Sequence, residues 1–153
     1  AEQQGIDTDV RTVLGGELAE VMAGVSANVK RIVETETFRA SNVAAIDVVE
    51  RVAAASGVED AVVVFLGPND AYCCDHCLEL YFLDDHVTPR CWYRSELKAG
   101  YWKRGDAAPS IGPLHPHCRH RPTALLPGYG FKGGKIEYIE PGWSEIDNQR
   151  GTR

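Results

Sequence analysis

The stretch Ala61-Val62-Val63-Val64-Phe65-Leu66, closed by Gly67-Pro68-Asn69-Asp70, divides the chain into two textures. A continuous apolar run rich in Val reads as a buried strand, and the Gly-Pro-Asn-Asp cluster cannot continue it. On its N-terminal side the apolar residues recur at helical spacing. Leu18, Val21, Met22, Val25, Val29, Ile32 and Val33 give an amphipathic helix of roughly five turns. Phe38, Ala45, Ile46, Val49, Val52 and Ala53 give a second helical pattern. Thr35-Glu36-Thr37 is a poor helix interior and favours a break or bend between the two, although one long helix is the alternative. Gly57 is a natural residue to follow the helix end. Residues 1–12 are polar and aperiodic, so a flexible lead-in is expected over 1–16.

On the C-terminal side of the run the texture changes. Seven of the 8 prolines lie between Pro68 and Pro127, so regular elements there must be short. Lys135-Ile136-Glu137-Tyr138-Ile139-Glu140 alternates at period two between Gly133-Gly134 and Pro141-Gly142, the pattern of a short half-buried strand. The expected fold is α+β: N-terminal helices packed on a small sheet, followed by a loop-rich, zinc-stapled lobe. A single domain is expected over 17–142, with a tail at 143–153.

The chain has 153 residues, 44% hydrophobic and 25% charged, which is a globular composition and not a disordered one. A chain of this length can bury about 68–70% of its unfolded surface and needs no disulfides for stability. No apolar run reaches transmembrane length and no secretory pattern is present, which argues against a membrane partner. The first residue is Ala1, so a processed chain or a piece of a longer one is expected. The net charge of −6 argues against a general nucleic-acid binder. The charge is uneven, however: residues 91–135 carry 8 basic and 2 acidic side chains. That segment reads as a solvated face or as a surface for an anion or a partner.

All 5 cysteines (73, 74, 77, 91, 118) and all 5 histidines (76, 86, 115, 117, 120) fall between residues 73 and 120. An odd cysteine count fits a reducing compartment better than a disulfide framework. Cys74-Asp75-His76-Cys77 is a C-x2-C knuckle, which aims two thiolates at one point. Leu114-His115-Pro116-His117-Cys118-Arg119-His120 answers it with His115 and Cys118 at the same spacing and His120 two residues on. Zinc takes four N or S ligands in a tetrahedron at about 2.0–2.3 Å. Two knuckles roughly forty residues apart supply that set and close a long loop. The plainer reading is that Cys74 and Cys77 are core thiols and His115 a hydrogen-bonded turn residue. Cys73 and Cys91 read as buried thiols, and His86 as a loop residue.

These pieces resemble the C-terminal domain of phage minor head proteins of the Mu F-type head morphogenesis family. The resemblance is carried by Asp70, Cys74-x-x-Cys77, Leu80-Tyr81, Pro89-Arg90-Cys91-Trp92, Gly112-Pro113-Leu114-His115-Pro116-His117-Cys118-Arg119-His120 and Pro127-Gly128. Upstream, Val29-Lys30-Arg31-Ile32-Val33-Glu34-Thr35-Glu36-Thr37 is similar to the family's Ile-Ala-Arg-Thr-Glu helix. Coverage is roughly residues 25–140. The family's Arg before Thr-Glu is Glu34 here, and the second Cys of its Cys-Arg-Cys is His120. Cys and His interchange as zinc ligands and not as core fillers, so the second departure raises His120 as a ligand in competition with His115. The ligand set is therefore Cys74, Cys77, Cys118 and one of His115 and His120. The resemblance implies a structural, non-enzymatic minor head protein of a virion, in the head interior or neck, and in the host cytoplasm during assembly. Its implied partners are the portal protein and other head proteins, with weak contact to packaged DNA.

Two other readings compete with it. Zinc knuckles and His-rich motifs also occur in nucleases of the His-metal-finger type. That mechanism needs a metal-binding helix after the His, and Arg121-Pro122-Thr123-Ala124-Leu125-Leu126-Pro127 leaves no room for one. A trafficking module of a larger toxin is the third possibility. Trp92, Tyr93, Tyr101 and Trp102 interleave with Arg90, Arg94, Lys98, Lys103 and Arg104, an arrangement able to meet bases and phosphates or to cover the zinc knuckle. Ser95-Glu96-Leu97-Lys98 looks like one capped helical turn.

Overall fold

The computed structural model describes residues 2–150, with side chains described from Gly16 onward. One helix, α1, runs over Glu2–Ala55. The chain divides into two compact units, Ala1–Glu34 and Thr35–Arg153. The residues expected to form a lead-in are helical from Glu2. Ala1 and residues 151–153, the end of the expected tail, lie outside the described residues.

No break occurs at Thr35-Glu36-Thr37. A Thr costs a helix interior no more than about 0.7 kcal/mol, and tertiary anchors outweigh that. The Tyr101 hydroxyl donates to the Glu36 carboxylate, and the Arg39 guanidinium lies 4.5 Å over the Tyr101 ring. Ile46, Val49 and Ala53 form the buried face of α1 at three- and four-residue spacing. The helix ends as the sequence requires. Gly57 has φ 74°, the Val58 N–H bonds Ala53 O at 2.9 Å, and the Gly57 N–H bonds Ala54 O at 3.1 Å, a Schellman closure.

Strand β1, Val62–Leu66, is the centre of a three-stranded antiparallel sheet. It lies between β2, Cys91–Tyr93, and β3, Arg121–Leu125. Val63 and Phe65 face a core shared with Ile46, Val49, Ala53 and the cysteine region. Val64 faces a second, smaller core with Cys91, Leu125 and Ile146. Both faces are covered, which is why β1 reads as an unbroken apolar run. Helix α2, Asp75–Tyr81, packs at the first core. Residues 94–120 hold only a 3-10 turn, Arg94–Glu96, and an isolated bridge between Lys98 and Ser110.

Strands β4, Tyr129–Lys132, and β5, Lys135–Tyr138, form a separate hairpin. Gly133 and Gly134 both take positive φ, 57° and 77°, as the tightest hairpin turn demands. The strand was expected to be half-buried, yet all four residues of β5 are exposed. Its partner β4 takes the inner place instead: Gly130 is buried and Phe131 packs on the second core, which leaves β5 as the outer strand of the ribbon. The expected tail is also corrected: Glu145–Arg150 forms helix α3, and Ile146, 1% exposed, plugs the second core. Gln149 accepts the Cys91 N–H at 3.1 Å.

The first apolar stripe of α1 departs from the expected packing. Leu18, Val21, Met22, Val25, Val29, Ile32 and Val33 are each 50–63% exposed. No helix among the described residues is long and apolar enough to cross a membrane.

Candidate metal centre

The first knuckle is the start of α2. Cys74 caps the helix in extended conformation (ψ 161°), and Cys77 follows one turn on, with the Leu78 N–H bonded to Cys74 O at 3.0 Å. The second knuckle is a reverse turn. His117 takes φ 64°, and the Cys118 N–H reaches His115 O at 3.2 Å. That turn throws His115 and Cys118 to one side. Residues 118–120 then enter β3 extended, so Cys118 and His120 point inward, each 2% exposed, while Arg119 points out.

The five candidate ligands form two triads that share one member. Cys74, Cys77 and His115 bring their ligand atoms within 4.8 Å of one another, and so do Cys77, Cys118 and His120. Cys77 is common to both groups. Its Sγ lies 3.2 Å from His115 Nε2 and 3.9 Å from Cys118 Sγ, and Cys118 Sγ lies 3.8 Å from His120 Nδ1. A tetrahedral zinc with bonds of about 2.3 Å to sulfur and 2.0 Å to nitrogen has edges of roughly 3.8 Å (S···S) and 3.5 Å (S···N). The separations fit those edges, so the residues present can bind a metal ion.

The two histidines differ. His115 is half-buried, and its Nδ1 sits 2.7 Å from Pro116 O, which leaves Nε2 facing Cys77. A ligand His characteristically donates its other ring N–H to such an oxygen. His120 is clamped by Tyr81 at 4.8 Å and Phe82 at 5.7 Å between ring centroids. Its Nε2 is enclosed without a hydrogen-bond partner.

The thiols share protons unequally. The hydrogen bond from Cys77 is the main cause that pulls the Cys118 thiol down, and the same bond pushes the Cys77 thiol up. Cys118 is thus the thiol of the pair more readily deprotonated, and thiolates are what a metal binds. Cys73 is half-buried, and burial raises it; Cys91 is buried in β2, and burial raises it to about 12. Neither belongs to the cluster. His86 lies on an exposed turn at φ 54°.

A second clamp accompanies the first. Asp70 accepts two hydrogen bonds from Arg119, at 2.8 and 2.6 Å, which hold its carboxyl down at about 2. It joins the segment before one knuckle to the residue inside the other. The two residues were quoted above for the resemblance, but nothing in their spacing showed that they meet. Gly67 was missed as well. A Cβ there would sit 2.6 Å from His120 Cδ2, so only glycine admits the ring.

The two tryptophans of the aromatic–basic segment turn inward, while Tyr101 stays exposed. Trp102 packs 4.9 Å from His76, and Trp92 Nε1 donates to Leu80 O at 2.9 Å, so both cover the knuckle helix. Arg94 pairs with Glu50 and Lys98 with Asp106, each at 2.6 Å. Lys103 and Arg104 are exposed. No family model, curated protein or solved structure matches the chain.

Proposed function

We propose that the cluster holds one structural zinc through Cys74, Cys77, Cys118 and His115. The observation that carries this is that Cys77 of the first knuckle lies 3.2 Å from His115 Nε2 and 3.9 Å from Cys118 Sγ of the second, about forty residues away; a modest inward shift of Cys118 would complete the four-ligand set. His120 acts beside the zinc, with Nδ1–H directed at the Cys118 thiolate. The alternative, ligation by His120 Nδ1, would strand a buried Nε2–H without an acceptor, and an orphaned N–H is costlier than an unused lone pair. The metal binds, crosslinks and takes no part in chemistry. Its four protein ligands leave no open position for a substrate.

We further propose that the stapled domain is a minor head protein of a phage or prophage particle. The support is the residue pattern named above, whose Asp70, Cys74, Cys77, Cys118 and Arg119 are structural neighbours here. The strand after His120 supports a non-enzymatic role over a His-metal-finger nuclease, which needs a helix there. The charge pairing of Arg94 and Lys98 narrows any DNA contact to Lys103 and Arg104. Quantitative mass spectrometry of density-purified particles tests the role. A few copies per particle are expected, and absence from particles overturns it.

A further inference from the structure

A cavity of about 240 Å³ lies within the second unit, between the end of α1, the start of β1, the end of β3 and helix α3. Val62 and Leu125 give it an apolar side. Tyr93, Tyr129 and Trp143 add aromatic rings, and Asp60, Glu145 and Asp147 add three carboxylates. No Lys, Arg or His lines it. Among the described residues, none of the three carboxylates is paired with a cation. Asp147 accepts the Tyr93 hydroxyl at 3.1 Å, and Asp60 accepts the Ser95 N–H and hydroxyl at 3.1 and 2.6 Å. Glu145 is 8% exposed and accepts only the neutral Trp143 indole N–H, at 3.3 Å. A Cβ on Gly130 would stand 2.4 Å from Glu145 Oε2 and 3.0 Å from Trp143 Nε1, so glycine there is what admits the pair. Arg150 lies 5.3 Å over the Tyr93 ring, but it is committed to Glu96 by bonds of 2.9 and 2.7 Å.

We infer that this cavity binds a guanidinium carried on an apolar stem, the chemistry of an arginine side chain. A buried carboxylate with only a neutral donor is costly, and a cation in the cavity relieves that cost. Aromatic rings attract a cation, and the apolar side covers its stem. The volume admits one side chain and falls below the roughly 300–1,000 Å³ that drug-sized ligands occupy. The donor count selects the cation. A quaternary ammonium has no N–H to give Glu145, and a primary ammonium is a compact point charge. A guanidinium presents five N–H groups in a plane, so it can serve carboxylates on two sides while it stacks on a ring. Free arginine and an arginine of a partner chain share this chemistry. The inference uses no residue of the metal cluster.

Titration of the full chain with N-acetylarginine N-methylamide, read at the Trp143 indole N–H by NMR, tests the site. Saturable shifts are expected, with a Kd of about 1–10 mM at low salt that rises as salt is added. The citrulline counterpart, neutral and of the same shape, should bind at least about tenfold more weakly. Glu145→Gln keeps an acceptor for Trp143, and Asp147→Asn keeps one for Tyr93. Each should weaken binding about three- to tenfold without lowering the urea midpoint. Free arginine separates the two sources: blocked arginine that binds equally or better supports a partner chain, and free arginine that binds about tenfold tighter supports the small molecule. Absence of shifts up to about 50 mM overturns the inference. So does equal binding of the citrulline compound, or unchanged binding by the two folded variants.

Discussion

Gly67→Ala tests whether His120 is held in place to serve the metal site. Gly67 has no positive φ, so alanine costs its backbone nothing. Space is the obstacle. The new Cβ would stand 2.6 Å from Cδ2 and 2.9 Å from Cγ of His120, and 3.0 Å from Arg119 O. Carbon contacts settle at about 3.5–4.0 Å, so the ring must retreat by roughly 1 Å. Tyr81 and Phe82 block that retreat, and Tyr81 is itself stacked on Phe65 at 4.6 Å. Overpacking of this kind costs about 1–3 kcal/mol. The retreat also draws Nδ1 from the Cys118 sulfur, and loss of a partner beside a metal ligand weakens metal binding about 10–100-fold. Urea unfolding of the metal-loaded protein measures the first effect, and competition with a chromophoric chelator measures the second. A variant that unfolds within about 0.5 kcal/mol of the parent and keeps its metal affinity would refute the reasoning.

Other substitutions separate the remaining roles. His115→Ala should abolish tight zinc binding in the chelator assay, while His120→Ala should keep the one-to-one stoichiometry at about 10–100-fold lower affinity; the reverse order would reassign the fourth ligand. Ile146→Ala should cost about 2–5 kcal/mol in thermal or urea unfolding, because its side chain is 1% exposed in the second core; a smaller loss would detach α3 from the fold. The Asp70–Arg119 clamp lowers Asp70 from 3.8 to about 2. Its contribution is therefore complete above the unfolded carboxylate pKa and is lost as pH falls from about 4 to about 2. An NMR titration of the Asp70 carboxyl should give a midpoint near the lower value, and a midpoint near 4 would deny the clamp.

The parts of the fold that show in the sequence are those fixed by side-chain type. Val63, Val64 and Phe65 mark β1 because both faces of that strand are buried. Cys74, Cys77, His115, Cys118 and His120 mark the metal cluster because few other arrangements use those residues at those spacings. The parts that do not show depend on partners far along the chain. α1 continues through Thr35 and Thr37, helped by Tyr101, 65 residues beyond Glu36. β3 is hidden by Pro122, which argues against a strand, but β3 is the edge of its sheet, where a missing N–H is tolerated. α3 is six residues long with one buried apolar anchor, too short for periodicity. The basic character of residues 91–135 suggested an anionic contact, but Glu50, Asp106 and Asp70 take up Arg94, Lys98 and Arg119. Local charge counts cannot show pairing across the fold.

The central claim is a zinc that holds two distant knuckles together. Structural zinc contributes about 10–16 kcal/mol in isolated zinc modules, as much as the whole stability of an ordinary domain. The cysteine ligands share one core with β1 and with α1 residues Ile46, Val49 and Ala53, so removal of the metal should unfold that body as a unit. Elemental analysis of protein purified without chelators, paired with the melting curve before and after stripping, measures this directly. The account predicts one zinc per chain and a cooperative melt that collapses when the metal is stripped. A folded, cooperatively melting protein with no bound zinc would contradict it.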